Sequence, residues 1–219
     1  EAMRRGGQGA LYEEFLLLKS KLEAEGLFRT EGKKSLPRFP KNIGIVTSLQ
    51  AAALQDVLKT LELRWPSCPI IIYPTSVQGS DAAAMIRQSL ITAFNRKECE
   101  ILLIVRGGGS LEDLQHFNDE KLVRTIYSSP IPIITGIGHE TDFSIADFVA
   151  DARAATPTAA AQIAVPDKLE TRVQAHNLFD RMNQSMERQV YQRMQQLDGL
   201  SRRVLHPANM LASTMKAIA

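Results

Sequence analysis

The stretch ILLIVRGGGS, residues 101–110, joins a run of large apolar residues directly to an arginine, three glycines and a serine. Continuous apolar runs that are rich in branched residues and end at a turn are typical of strands buried on both faces. Three further runs of this type occur in the chain: IGIV at 43–46, IIIY at 70–73 and IPII at 131–134. The sequence therefore predicts about four buried strands.

The segments between these runs have the spacing of amphipathic helices. They are residues 51–64, 81–95 and 111–127. The resulting order is βαβαβαβ, and successive parallel strands are joined by right-handed crossovers. We therefore predict an α/β fold in which a parallel sheet of about four strands has helices on both faces.

Helical patterns also flank this central region. Residues 10–28 carry an apolar stripe, and a basic stretch, residues 29–41, follows as an exposed linker. From Asp167 to about Val204 apolar residues recur at heptad spacing, which predicts a long coiled-coil-like helix with an imperfect seam and self-association through it. The predicted domains are an N-terminal helix and linker (1–40), an α/β domain (41–165) and a truncated helical arm (166–219).

Composition excludes several classes of protein. With 44% apolar residues, 23% charged residues and a net charge of +2, the chain is neither disordered nor strongly basic, so any polyanion site must be local. Cys68 and Cys99 match no metal-binding pattern and are expected to be free thiols in a reducing compartment. No apolar run is long enough to span a membrane, so a cytoplasmic location without a membrane partner is expected. The first residues, Glu-Ala-Met, suggest a piece of a longer protein.

Ligands of open parallel sheets bind beyond the carboxyl ends of the strands, and this chain places its glycines and polar residues there. After the third strand, glycine amides can approach an anion closely while Arg106 offers two donors. We predict a phosphate site, although a tight turn with Arg106 paired to Glu112 or Asp113 also fits. The predicted phosphate-binding set is Ser48, Gln78, Gly79, Gly107, Gly108, Gly109 and Ser110.

The fourth strand leads into GHETD, residues 138–142, which combines an imidazole with carboxylates. His139 could transfer protons at a phosphorus centre while Asp142 fixes its tautomer. The same residues, with Glu140, could equally bind a divalent metal ion. Three other acids, Asp56, Asp147 and Asp151, look ordinary, because a single acid on an amphipathic helix usually faces solvent.

Five motifs taken together resemble the large subunits of the exodeoxyribonuclease VII family, in the same order and at similar spacing. They are IGIVTS (43–48), PTSVQG (74–79), IVRGGGSLEDLQHFNDE (104–120), SSPIPIITGIGHETDFSIADFVADARAATPTAAA (128–161) and AVPD (164–167). The resemblance implies an exonuclease that hydrolyses single-stranded DNA from either end to oligonucleotides. It further implies that the chain begins after an OB-fold and stops before a returning arm helix, the arm being where copies of a small subunit bind.

The same resemblance assigns roles at the site. It implies catalytic positions at Asp56, Arg106, His139 and Asp142, and it raises Asp56 above an ordinary surface acid. It also implies that no metal or other cofactor is obligatory, although Mg²⁺ is possible. On this interpretation Arg106 stabilises phosphoryl charge and His139 acts as general acid or base. Asp142 supports the imidazole, and Asp56 positions water.

Two other functions remain open from the residues alone. One is a metal-dependent phosphohydrolase in which Asp56, His139 and Asp142 are the ligands. The other is a noncatalytic module that binds nucleotide phosphate and associates through its helical arm. Activity in excess chelator distinguishes the first from a metal-independent nuclease, and a His139→Ala variant that loses turnover but still binds ligand argues against the second.

Overall fold

The computed structural model describes residues 2–107, 114–138 and 143–218 of the 219-residue chain. Its internal contacts divide it into two compact units, Glu1–Lys168 and Leu169–Ala219. The first unit contains a sheet covered by helices, and the second is a helix.

The first unit is built on a five-stranded, fully parallel sheet with the order β2-β1-β3-β4-β5. This arrangement confirms the predicted α/β fold, with one strand more than expected. The fourth strand also starts later than predicted, at Ile133, because Pro132 has no N–H to donate to a neighbouring strand. The strands are β1 (Ile43–Thr47), β2 (Ile70–Pro74), β3 (Ile101–Val105), β4 (Ile133–Gly136) and β5 (Ala152–Arg153).

Helices cover both faces of the sheet, as predicted. Two of the helical segments expected from spacing are confirmed almost residue for residue, but 111–127 is not one helix. Its described part consists of a 3-10 turn, Gln115–Asn118, and a separate helix that starts after Asp119, whose carboxylate accepts a hydrogen bond from the N–H of Leu122 at 2.8 Å. Among the described residues, the helices of this unit with defined bounds are α1 (Ala2–Ala24), α2 (Ala52–Arg64), α3 (Ala82–Arg96), α4 (Glu120–Tyr127), α5 (Ile145–Val149) and α6 (Pro157–Ala164).

Successive side chains of the central strands point to opposite faces of the sheet, and this produces two hydrophobic cores. In β3, Leu102 and Ile104 face one core, while Ile101, Leu103 and Val105 face the other. Residues of α1, α3, α4 and α5 complete the first core, and α2 and α6 complete the second. All five residues of β3 are fully buried, as expected for a central parallel strand.

The basic linker is more ordered than predicted and lies along the amino ends of the strands. The backbone N–H of Lys34 donates to Asp151 at 2.6 Å, and that of Lys41 donates to Glu100 at 3.0 Å. Leu36 packs against the second core. These contacts place the linker at the edge opposite to the carboxyl ends of the strands.

The second unit is one helix, α7 (Lys168–Ile218), which runs beyond the predicted end near Val204. Its apolar seam residues are in water, with exposures between 54% and 71%. They are Leu169, Phe179, Met186, Val190, Leu197 and Leu200. Among the described helices of the whole chain, none is long and apolar enough to cross a lipid bilayer.

Candidate active site at the carboxyl edge of the sheet

The strand order creates a crevice between β1 and β3. From β1 the chain moves outward to β2 on one side, and from β3 it continues to β4 and β5 on the other. Such a reversal point separates the loops that follow the two central strands, and ligands of this fold class bind there. The loop after β3 is the one that carries RGGGS.

Arg106 and Gly107 begin this loop in the middle of the carboxyl edge. Arg106 is only 2% exposed, and its N–H donates to the carbonyl of Gly136 at 3.2 Å. On the other side, the hydroxyl of Thr47 donates to the carbonyl of Val105 at 2.8 Å. The ends of β1, β3 and β4 are thereby joined, which fixes the base of the RGGGS loop.

The first turn of α2 lies against this loop. A Cβ added to Gly107 would be 3.5 Å from the Cβ of Ala53 and 3.8 Å from its nitrogen. The N-cap of α2, Ala51, has no side-chain capping bond, and no acidic residue occupies the first turn. Within the first turn of α2, no carboxylate therefore offsets the positive end of the helix dipole.

Asp56 lies on the exposed side of the same helix, one turn beyond Ala53. Its side chain is in water, as the sequence interpretation of an isolated acid expected. The common role of Asp56 and Arg106 at one site remains a prediction.

The other predicted phosphate-binding residues lie along the same edge. Ser48 follows β1, and its hydroxyl accepts a hydrogen bond from the N–H of Gln50 at 3.4 Å. Gln78 and Gly79 follow β2, one strand further out, and are exposed. Gly79 has φ +92°, a conformation that a side chain would strain.

Several predicted residues lie outside the described part of the chain. They are Gly108, Gly109, Ser110, His139 and Asp142, together with Glu112, Asp113 and Glu140. The described residues nevertheless locate where these loops start. The RGGGS loop starts at Arg106 and the GHETD loop follows Gly136, and the hydrogen bond between these two residues makes the two loops neighbours at their bases.

The segment that follows GHETD is attached at two points. The side chain of Asn118 accepts a hydrogen bond from the N–H of Ile145 at 2.7 Å, which ties this segment to the chain after RGGGS. Asp147 accepts from both the N–H and the hydroxyl of Ser144, at 2.9 and 2.8 Å, in a capping box. Hydrogen bonds at Ser144 and Ile145 therefore hold the chain shortly after GHETD.

The expectation that Asp147 and Asp151 face solvent is wrong. Their side chains are 2% and 6% exposed. Asp147 caps α5, whereas Asp151 accepts hydrogen bonds from the backbone of Lys34 and Ile133 at the amino edge. Both acids are buried because backbone donors compensate for the loss of water.

Sequence reasoning missed two features of the carboxyl edge. One is a cleft of about 340 Å³ between α1, the start of α3 and the 3-10 turn, lined by His116 and Asn118 among others. The other is a stack in which the guanidinium carbon of Arg153 lies 3.8 Å from the ring centroid of Phe143. The exposed Phe143 directly follows GHETD, and this position was the only available signal for the stack.

No group of three His, Cys, Asp or Glu side chains is arranged for metal binding within the described ranges. The predicted ligand set for a metal ion includes His139 and Asp142, which lie outside them. Asp56, its described member, is a single exposed carboxylate.

A known protein family matches most of this chain. The family model for the exonuclease VII large subunit matches residues 27–219. The chain belongs to this family. The match includes the sheet, both loops and α7, so the predicted resemblance is confirmed.

Curated relatives agree with this assignment. An exodeoxyribonuclease 7 large subunit from Nitrosomonas europaea is 56% identical over 94% of this chain and 46% of its own length. Another from Thiobacillus denitrificans is 51% identical over 100% of this chain and 49% of its own length. A third, from a Neisseria meningitidis serogroup B strain, is 48% identical over 95% of this chain. The chain therefore spans about half the length of these relatives.

Proposed function

We propose that this chain is the catalytic part of an exonuclease that hydrolyses phosphodiester bonds of single-stranded DNA from either end, giving oligonucleotides. The observation that carries the proposal is the hydrogen bond between Arg106 and Gly136. It brings the bases of the RGGGS and GHETD loops together beside the start of α2, where the fold class binds ligands. The names of the relatives point to the same activity.

In the proposed mechanism, positive groups at the loop base receive the scissile phosphate. The guanidinium of Arg106 and the glycine amides donate to the phosphoryl oxygens and stabilise the charge that develops as the attacking water approaches. The uncapped start of α2 adds a favourable dipole beside Gly107. Burial of Arg106 supports this role, because a guanidinium with little solvent around it interacts strongly with an anion.

Proton transfer is assigned to His139, with Asp142 orienting the ring or supporting its charged form. Asp56, on the exposed side of α2, positions the attacking water. The attachment of Ile145 to Asn118 and of Ser144 to Asp147 supports this assignment, because it fixes the backbone shortly after GHETD. No metal ion is obligatory in this scheme, and participation of Mg²⁺ is a question for the assay.

The arm is proposed to bind partners. Its seam residues are exposed, and Met182, three residues after Phe179 and four before Met186, widens the same exposed apolar face. A long exposed apolar face of this kind favours packing against partner helices. We assign this face to a second arm helix in a homo-oligomer and to the exodeoxyribonuclease VII small subunit. Light scattering at micromolar concentration tests the homo-oligomer, and a strictly monomeric protein would contradict it.

The proposed location is the cytoplasm. Cys68 and Cys99 are both buried free thiols, which suits a reducing compartment.

The decisive experiment follows labelled single-stranded DNA with excess chelator present. We expect release of short oligonucleotides from both labelled ends, by this chain alone or by the full-length large subunit assembled with its small subunit. A matched duplex serves as the substrate control. Cleavage that disappears with chelator and returns with Mg²⁺ would favour the metal-dependent phosphohydrolase, and binding without any cleavage would favour a noncatalytic module.

A further inference from the structure

A stack of aromatic and cationic side chains lies beside the GHETD loop. The rings of Phe143 and Phe148 are stacked, with centroids 5.8 Å apart and planes 21° apart. Phe28 continues the series at 5.5 Å from Phe148. Arg153 covers Phe143 at 3.8 Å, and the ammonium of Lys19 lies 4.6 Å from the ring centroid of Phe148. Residues of α1, α5 and β5, together with Phe28 and Phe143 from the connecting segments, thus contribute to one surface feature.

The stack has a buried end and an open end. Phe28 and Phe148 are partly buried, and Phe28 packs on the first core. Phe143, in contrast, is 48% exposed. Because Arg153 lies over the Phe143 ring, the outer surface of the stack consists of the guanidinium and the exposed part of the ring, directly after GHETD in the sequence.

The open end is rigid. Ser144, next to Phe143, is fixed by the carboxylate of Asp147, and the following residue is fixed by Asn118. Arg153 belongs to β5, where it pairs with Thr135 of β4, and its Nε lies 3.9 Å from the same Asp147 carboxylate. The ring and the guanidinium are therefore positioned before any ligand arrives, which lowers the entropy cost of binding.

We propose that Phe143 and Arg153 form a subsite that stacks an unpaired nucleobase of the DNA strand entering or leaving the site. This inference rests on the proposed function. Aromatic rings and guanidinium planes are the surfaces on which single-stranded nucleic acids stack their bases, while Arg153 and Lys19 supply positive charge for the backbone. A base within a duplex is already stacked and paired, so this subsite selects single strands.

The first test changes the substrate and leaves the protein intact. Binding of a thymidine oligonucleotide is compared by fluorescence anisotropy with binding of the same strand carrying abasic sites. We expect the abasic strand to bind about fivefold to a hundredfold more weakly. Equal binding of the two strands would overturn the subsite, whether or not the protein cleaves them.

The second test uses variants with a matched control. Phe143→Leu is expected to raise KM by about fivefold or more with kcat nearly unchanged, and Phe143→Trp to preserve binding. The control is Phe39→Leu, at the amino edge, where Phe39 is 47% exposed and Arg38 lies 5.4 Å from its ring centroid. Phe39→Leu should bind as the parent does. A Phe143→Leu variant that folds and keeps the parent KM would overturn the subsite.

The combined design separates this inference from the proposed function. In Phe143→Leu the abasic penalty should largely disappear, since the stacking partner is already missing. A parent protein that cleaves DNA without an abasic penalty retains its proposed function but lacks the subsite. A protein that shows the Phe143-dependent penalty but cleaves no strand retains the subsite and loses the proposed activity.

Discussion

The two edges of the sheet use similar side chains in different ways. At the amino edge, Asp151 and Glu100 accept hydrogen bonds from the linker, and Phe39 packs near Trp65. At the carboxyl edge, a backbone hydrogen bond joins the starts of two loops; a buried arginine begins one of them, and an exposed aromatic ring follows the other. We therefore expect polar groups at the amino edge to stabilise the fold and those at the carboxyl edge to serve the proposed binding surface. Substitutions at the two edges should therefore separate stability from turnover.

The largest expected effect is on turnover, from His139→Ala. Loss of the general acid or base should reduce kcat by at least about a hundredfold. Thermal unfolding should change little, because His139 comes after strand β4 in the sequence and not within it. Phe39→Leu at the amino edge is the control and should keep parental turnover. Near-parental cleavage by purified His139→Ala would remove this residue from the mechanism.

Arg106→Lys should have the next largest effect. Lysine keeps the charge but loses the planar pair of donors, so we expect kcat to fall by about tenfold or more. The matched change at the amino edge is Arg64→Lys, since Arg64 is ion-paired to Asp167 at 3.2 Å. That variant should cleave normally. If Arg106→Lys does so too, Arg106 acts only as a diffuse positive charge.

Two aspartates test both sides of the comparison: Asp151 should affect stability alone, and Asp56 should affect turnover alone. Asp151→Asn places an amide nitrogen against a backbone N–H, and should lower the free energy of unfolding by about 1 to 3 kcal/mol while kcat is unchanged. Asp56→Asn, at an exposed site, should lower kcat with a stability change of less than about 0.5 kcal/mol. Urea unfolding and initial rates measure both. An Asp151→Asn variant as stable as the parent would contradict the structural role of the amino edge. A fully active Asp56→Asn variant would contradict the catalytic role of Asp56.

The extent to which sequence predicted the molecule depends on where the interacting partners lie in the chain. The strands of IGIV and ILLIV and the position of Arg106 follow from local patterns, because the ends of parallel strands meet at one edge. β5 was missed because two residues, Ala152 and Arg153, have no strand pattern and are extended only through pairing with β4.

The burial of Asp147 and Asp151 could not be predicted from the sequence either. The buried carboxylate of Asp151 accepts a hydrogen bond from the backbone of Lys34, a partner 117 residues away in the chain. The stack on Phe143 requires Arg153 from a different element. Such pairings are set by the tertiary fold, so the composition of one segment cannot reveal them.

The smallest expected effect is the pH dependence of stability at the amino edge. Burial raises the pKa of the Cys68 and Cys99 thiols; Glu100 adds to the rise at Cys68, whereas the hydrogen bond with Tyr73 partly opposes it at Cys99. The unfolded chain then loses its thiol protons at lower pH than the folded protein. This contribution to stability is complete below the unfolded pKa, near pH 8.5, and is lost as pH rises through the folded values.

Urea unfolding in reducing buffer between about pH 7 and 9.5 tests this sign. The free energy of unfolding should fall with pH, by no more than about 1.4 kcal/mol per pH unit for each thiol. The control is the double variant Cys68→Ala and Cys99→Ala, in which the slope should be shallower. Because both thiols lie at the amino edge, cleavage by the double variant at neutral pH should match the parent. An unchanged slope would mean that the thiols titrate alike in both states, and altered cleavage would mean that the two edges are coupled.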